Sequence, residues 1–109
     1  MQPEVFTYQT TDARIAEKVV DRPDRWSLLV AHVVLPPGEA MPPHPTNAEA
    51  FFVVVRGTLT LKAGEGAATE YRKGQIVHLP NKTPMLASNE GNEVLEFLVL
   101  KTPHPEVKA

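Results

Sequence analysis

The sequence predicts an all-β chain folded as one antiparallel sandwich or barrel, and three observations carry that prediction. Short runs rich in β-branched and aromatic residues recur along the chain, each bounded by glycine, proline or asparagine. Turn chemistry separates these runs at short, fairly regular intervals, which is the rhythm of antiparallel strands. Helical spacing is confined to residues 11–20, where Ile15 and Val19 lie four apart.

Taken in order, residues 1–25 form an N-terminal segment that reads two ways. Behind Thr11 or Asp12 as a cap it is a short helix, whereas its Lys18-Val19-Val20 end is equally a first strand. This segment and the edge strands are the candidates for a dimer interface, because an exposed β edge is usually paired or covered. Residues 28–35 form the first long apolar strand, closed by Pro36-Pro37-Gly38. Residues 51–55 and 58–61 are strands flanking Arg56-Gly57, and Ala63-Gly64-Glu65-Gly66 is the turn of a hairpin. Residues 75–79 follow Lys73-Gly74 and stop at Pro80-Asn81, and residues 94–100 follow the turn Asn89-Glu90-Gly91-Asn92. The proline-rich tail, 103–109, is expected to fray, with His104 in solvent.

Composition removes several classes of function. A chain of 109 residues is long enough for a single core that buries roughly 65% of its unfolded surface. A net charge of -2 offers no basic face to nucleic acid or anionic lipid. The absence of cysteine excludes disulfides, thiolate zinc sites and cysteine nucleophiles. The start Met1-Gln2-Pro3-Glu4-Val5-Phe6 lacks the basic and apolar regions of a signal peptide, so the cytoplasm is the expected location. The apolar run 28–35 contains His32 and is far shorter than the roughly 20 residues of a membrane span.

Two spaced motifs give the chain a family likeness. Gly38 is followed after five residues by His44, and a strand then reaches Gly57, thirteen positions beyond His44. Gly74 is followed after five residues by Pro80 and then by Asn89, and 16 residues separate Gly57 from Gly74. In this frame the chain resembles the cupin family over about residues 26–102. The resemblance implies a small jelly-roll β-barrel with an internal pocket and, for a one-domain member, a homodimer.

The resemblance also implies where a metal would be held, and there the chain departs from the pattern. His44 matches the first histidine, but Thr46 stands at the second, Ala50 at the acidic ligand and Met85 at the last histidine. Glu49 lies one place before the acidic position, and by turning inward it would join His44. A catalytic divalent ion usually has three protein ligands, so a single imidazole cannot hold one tightly. No cofactor is expected, and a divalent metal, if bound, would use His44 and Glu49.

Alternation from His44 directs Ala50, Phe52 and Val54 to the interior, with Met85 entering from the facing strand. With Thr46 these residues define an apolar ligand pocket, unless Phe52 and Met85 fill the space of the missing ion. No residue is assigned to catalysis; His44 is the single candidate, as a general base or hydrogen-bond donor. His32 and His78 read as structural, Arg56 as a binder of an anion or as solvated charge, and Tyr8 and Tyr71 as interface or core. The expected function is therefore binding of a small organic molecule without a tight metal. The alternative is a small-molecule enzyme, either a metal-dependent oxygenase or isomerase with an atypical site around His44, or a metal-free lyase or epimerase using His44.

Overall fold

The structure, a computed structural model, describes residues 2–107. Among them nine strands are found: β1 Ile15–Arg22, β2 Leu28–Leu35, β3 His44–Pro45, β4 Ala50–Arg56, β5 Thr58–Ala63, β6 Thr69–Arg72, β7 Ile76–Leu79, β8 Pro84–Ser88 and β9 Leu95–Lys101. They form a five-stranded sheet in the order β1-β2-β9-β4-β7 and a four-stranded sheet in the order β3-β8-β5-β6. Every pairing is antiparallel. Among the described residues no helix is long and apolar enough to cross a membrane.

Period-two alternation builds the core. Val33 and Leu35 of β2, Ala50, Phe52 and Val54 of β4, and Leu95, Phe97 and Val99 of β9 face Leu59 and Leu61 of β5 and Met85 and Ala87 of β8. The two sheets are not closed by hydrogen bonds into a barrel, which corrects that part of the sequence expectation. The physical reason lies in β3, whose two residues follow Pro42 and Pro43 and include Pro45. Prolines donate no backbone hydrogen bond, so this segment cannot extend a ladder toward the five-stranded sheet.

At the N-terminal segment the strand reading holds. Residues 15–22 pair with β2 along their whole length, with a bulge between Lys18 and Val20. The tertiary pairing of β-branched Ile15 and Val20 with β2 overrides the helical spacing of Ile15 and Val19. β1 is thus one edge of the larger sheet.

Two framework residues have clear physical duties. Gly57 has φ of 76°, and a β-carbon there would lie 2.3 Å from the carbonyl oxygen of Val94, so only glycine fits. Asn89 is fully buried; its amide donates to the carbonyls of Leu35 and Glu93, at 2.8 and 2.7 Å, and its oxygen accepts from the Gly91 N–H at 3.0 Å.

The tail corrects a second expectation. His104 is 2% exposed rather than solvated: its Nε2 lies 2.6 Å from Asp21 Oδ1, and its backbone N–H donates to Ser27 Oγ at 3.0 Å. The last two residues of the segment expected to fray, 108 and 109, lie outside the described residues.

Candidate functional site

Between the two sheets lies a cavity of about 250 Å³. Its floor is aromatic, with Phe52 and Phe97 packed at a centroid distance of 6.0 Å. Ala31, Val33 and Val99 extend this apolar wall across the larger sheet, and Met41, Met85 and Ala87 line the facing side. Phe52 and Met85 thus leave space between the sheets rather than filling it. The cavity opens where the inner face of β1 is uncovered, since Ala16 and Lys18 line it and are exposed.

Local pairing explains how the mouth is built. His44 lies directly opposite Met85 in the β3–β8 ladder, which sets the two side chains next to each other. The His44 Nδ1–H donates to the carbonyl of Pro45 at 2.9 Å, which leaves Nε2 unprotonated in the neutral ring. Thr46 is buried, and its hydroxyl donates to the Pro80 carbonyl at 2.6 Å while accepting from the Thr83 N–H at 2.8 Å. The Thr46 side chain therefore closes a turn, with its other faces against the cavity.

The sequence-derived pocket residues are brought together with one exception. His44, Thr46, Ala50, Phe52 and Met85 line the cavity; Val54 does not. Val54 lies one alternation farther along β4, beside a bulge, and is packed into the core at 3% exposure. Ten lining residues were missed by sequence reasoning, among them the charged Glu17, Lys18 and Lys101. Lys101 could have been found by extending the strand at 94–100 by one residue, because it continues the inward series Leu95, Phe97, Val99.

The comparisons with known proteins bear on this architecture. The family described as "Cupin domain" matches residues 31–101. This chain belongs to the cupin family. An uncharacterised protein of Methanocaldococcus jannaschii is 34% identical to this cupin over 93 residues, covering 85% of the chain and 78% of the relative. The crystal structure of an RmlC-like cupin family protein with a double-stranded β-helix fold, from the same organism, is similar with a TM-score of 0.89 and 32% identity, covering 97% of this chain and 95% of that one. A cupin-like protein from Thermotoga maritima has a TM-score of 0.74 at 21% identity, covering 81% and 67% of the two chains, a likeness of fold.

The donors of this cupin do not fit the metal that its family frame implies. At the four ligand positions stand His44, Thr46, Ala50 and Met85, and the Thr46 hydroxyl is already committed to Pro80 and Thr83. Glu49 does not turn inward, contrary to the alternative weighed from sequence. Its two carboxylate oxygens lie 2.8 Å from His78 Nε2 and 2.7 Å from the Asn81 N–H, on the outer side of β4. The Asn81 N–H, then His78, hold this carboxyl below its ordinary value, so it is an occupied acceptor rather than a free ligand. A separate trio, Asp21, His104 and Glu106, meets through opposite nitrogens of one imidazole, an arrangement of a structural tie rather than a shared ion site.

On the outer face of the larger sheet lies a charged row built on His32, Glu96 and Arg56. His32 is fully buried, with Nδ1 2.8 Å from Glu17 Oε2 and Nε2 2.6 Å from Glu96 Oε2. Arg56 donates to Glu96 at 2.8 Å, to Asp12 at 2.8 Å and to the Thr11 carbonyl at 2.8 Å. Arg56 is thus neither free to bind an anion nor simply solvated. Tyr8 covers the His32 ring at 4.4 Å, and Tyr71 packs on the core. Burial alone would raise the Glu96 pKa; the hydrogen bonds and charges of His32 and Arg56 outweigh it and hold the carboxyl below its ordinary value.

Proposed function

We propose that this cupin binds a small organic molecule between the sheets of its jelly roll, without a tightly held metal ion. The observation that carries the reading is the cavity itself: aromatic and aliphatic walls, with one imidazole at its mouth where a metal centre needs several donors. A cavity of about 150 Å³ accepts benzene, so about 250 Å³ scales to a guest of about ten non-hydrogen atoms. His44 supplies the polar contact that orients such a guest, with no second titratable group hydrogen-bonded to it among the described residues.

The test has two arms. Elemental analysis of untagged protein, purified without added metal, should find substoichiometric iron, manganese, nickel and zinc. Near-stoichiometric metal would overturn the reading in favour of a metal-dependent oxygenase or isomerase at His44. In the second arm, Met85→Trp should abolish binding of small ligands found by a thermal-shift screen while the strand content is retained. Undiminished binding would move the site out of this cavity.

The same reading includes a homodimer through β1. This strand is the edge of its sheet, and Phe6 and Trp26, packed edge to face at 5.9 Å, remain exposed beside Val5.

A further inference from the structure

Two ammonium groups stand at the cavity mouth, with no carboxylate partner among the described residues. Lys18 lies opposite Ala31, which in turn lies opposite Val99, so its side chain belongs to the inward row that ends on the apolar wall. Lys101 lies opposite Ala50, at the inner end of β9. Only β2 separates the two strands. Among the described residues the ion pairs of lysine or arginine side chains all use arginine. Lys101 Nζ donates instead to a neutral acceptor, Asn47 Oδ1, at 2.7 Å. The one carboxylate on the cavity rim, that of Glu17, is turned to the other face and held by His32 and the Gln9 N–H. Burial, and then the charge of Lys18, hold the Lys101 pKa below its ordinary value.

A partly desolvated cation without a counter-charge is costly in a fold, and the half-buried Lys101 together with the exposed Lys18 gives one end of the apolar cavity a positive polarity. We infer that Lys18 and Lys101 form a carboxylate subsite, which receives the head of a small organic acid while its apolar body lies on Phe52, Met85 and Phe97. The inference rests on the ligand-binding reading above and names the class of ligand. With room for about ten non-hydrogen atoms, octanoate or 3-phenylpropanoate is of suitable size. A charge-assisted hydrogen bond at a partly buried site should favour the acid over its neutral amide by about tenfold or more.

The experiment is isothermal titration of the full chain with octanoate and with octanamide, which share a shape and differ in charge. Wild-type protein should bind octanoate at least about tenfold tighter, with the preference shrinking as sodium chloride is raised. Lys101→Met and Lys18→Met keep most of the side-chain stem. Each should reduce the preference, and the double variant should bind acid and amide alike, with octanamide affinity retained. Equal binding of the two ligands by wild-type protein would overturn the carboxylate subsite and leave the pocket reading intact. Binding of neither would overturn both. A preference for octanoate that survives in the double variant would assign the charge recognition to another group. Because the wild-type comparison needs no substitution, a variant that fails to fold does not protect the proposal.

Discussion

Replacing His32 with leucine tests the charged row behind the cavity wall. The imidazole contacts Glu96 at 2.6 Å and Glu17 at 2.8 Å, and both partners offer only acceptors, so both contacts are hydrogen bonds when the ring carries two protons. His32→Leu leaves the Glu96 side chain, 10% exposed, with Arg56 as its remaining charged partner. The loss of a charge-assisted bond to a poorly solvated carboxylate is about 3 kcal/mol. Burying leucine in place of imidazole returns about 1 kcal/mol, leaving a net destabilisation of about 2 kcal/mol. In a urea titration at pH 7 followed by far-ultraviolet circular dichroism, with a slope of about 2 kcal/mol/M, the midpoint should fall by about 1 M. Adding Glu96→Gln to the variant should recover about half of the loss, because the stranded charge is its cause. A midpoint unchanged by His32→Leu, or a double variant less stable than the single one, would refute the reasoning.

Gly57→Ala should cost about 3 kcal/mol in the same titration, since the positive φ and a contact of 2.3 Å with backbone both oppose a β-carbon; a cost below about 1 kcal/mol would show that the turn adjusts freely. Glu17 and Glu96 have folded pKa values below the ordinary 4.5, so each adds stability above that value that is lost as pH falls through its folded pKa. Stability should therefore decline from about pH 4.5 downward, and the decline should be shallower in Glu96→Gln; an equally steep decline would assign it to other carboxylates. Sedimentation velocity should give a dimer for the wild-type protein, and Val20→Lys together with Trp26→Ser, on and beside β1, should shift it to monomer; a wild-type monomer, or a variant that remains dimeric, would exclude the β1 interface.

Most of the framework was legible because its signals are local. Alternation put Ala50, Phe52 and Val54 on one face, and Gly57 and Asn89 marked turns that the structure bears out with a left-handed φ and three side-chain hydrogen bonds. What was not legible depends on partners distant in sequence. His104 is buried by Asp21, 83 positions earlier, and Arg56 is neutralised by Glu96, 40 positions later. Neither pairing has a spacing that a sequence pattern could reveal. Glu49 was weighed as an inward ligand because its loop made alternation unreliable, and its actual place was set by the Asn81 N–H across a turn. The lysines were missed for a different reason: β1 was ambiguous until its pairing with β2 was seen, and the last inward position of β9 lay one residue past the apolar run.

Adjacent residues of β1 carry opposite signs to opposite sides of the sheet, Glu17 to the buried imidazole and Lys18 to the cavity. The bulge between Lys18 and Val20 absorbs one residue immediately after this pair, so the register on either side can be inherited separately. Losing one residue upstream of the bulge would not lengthen or shorten the pocket; it would exchange the two faces of the strand's first half. An acid would then look into the cavity and an amine would face His32. A change of register in that one strand therefore changes the sign of the charge facing the cavity without any change in the residues of its apolar floor.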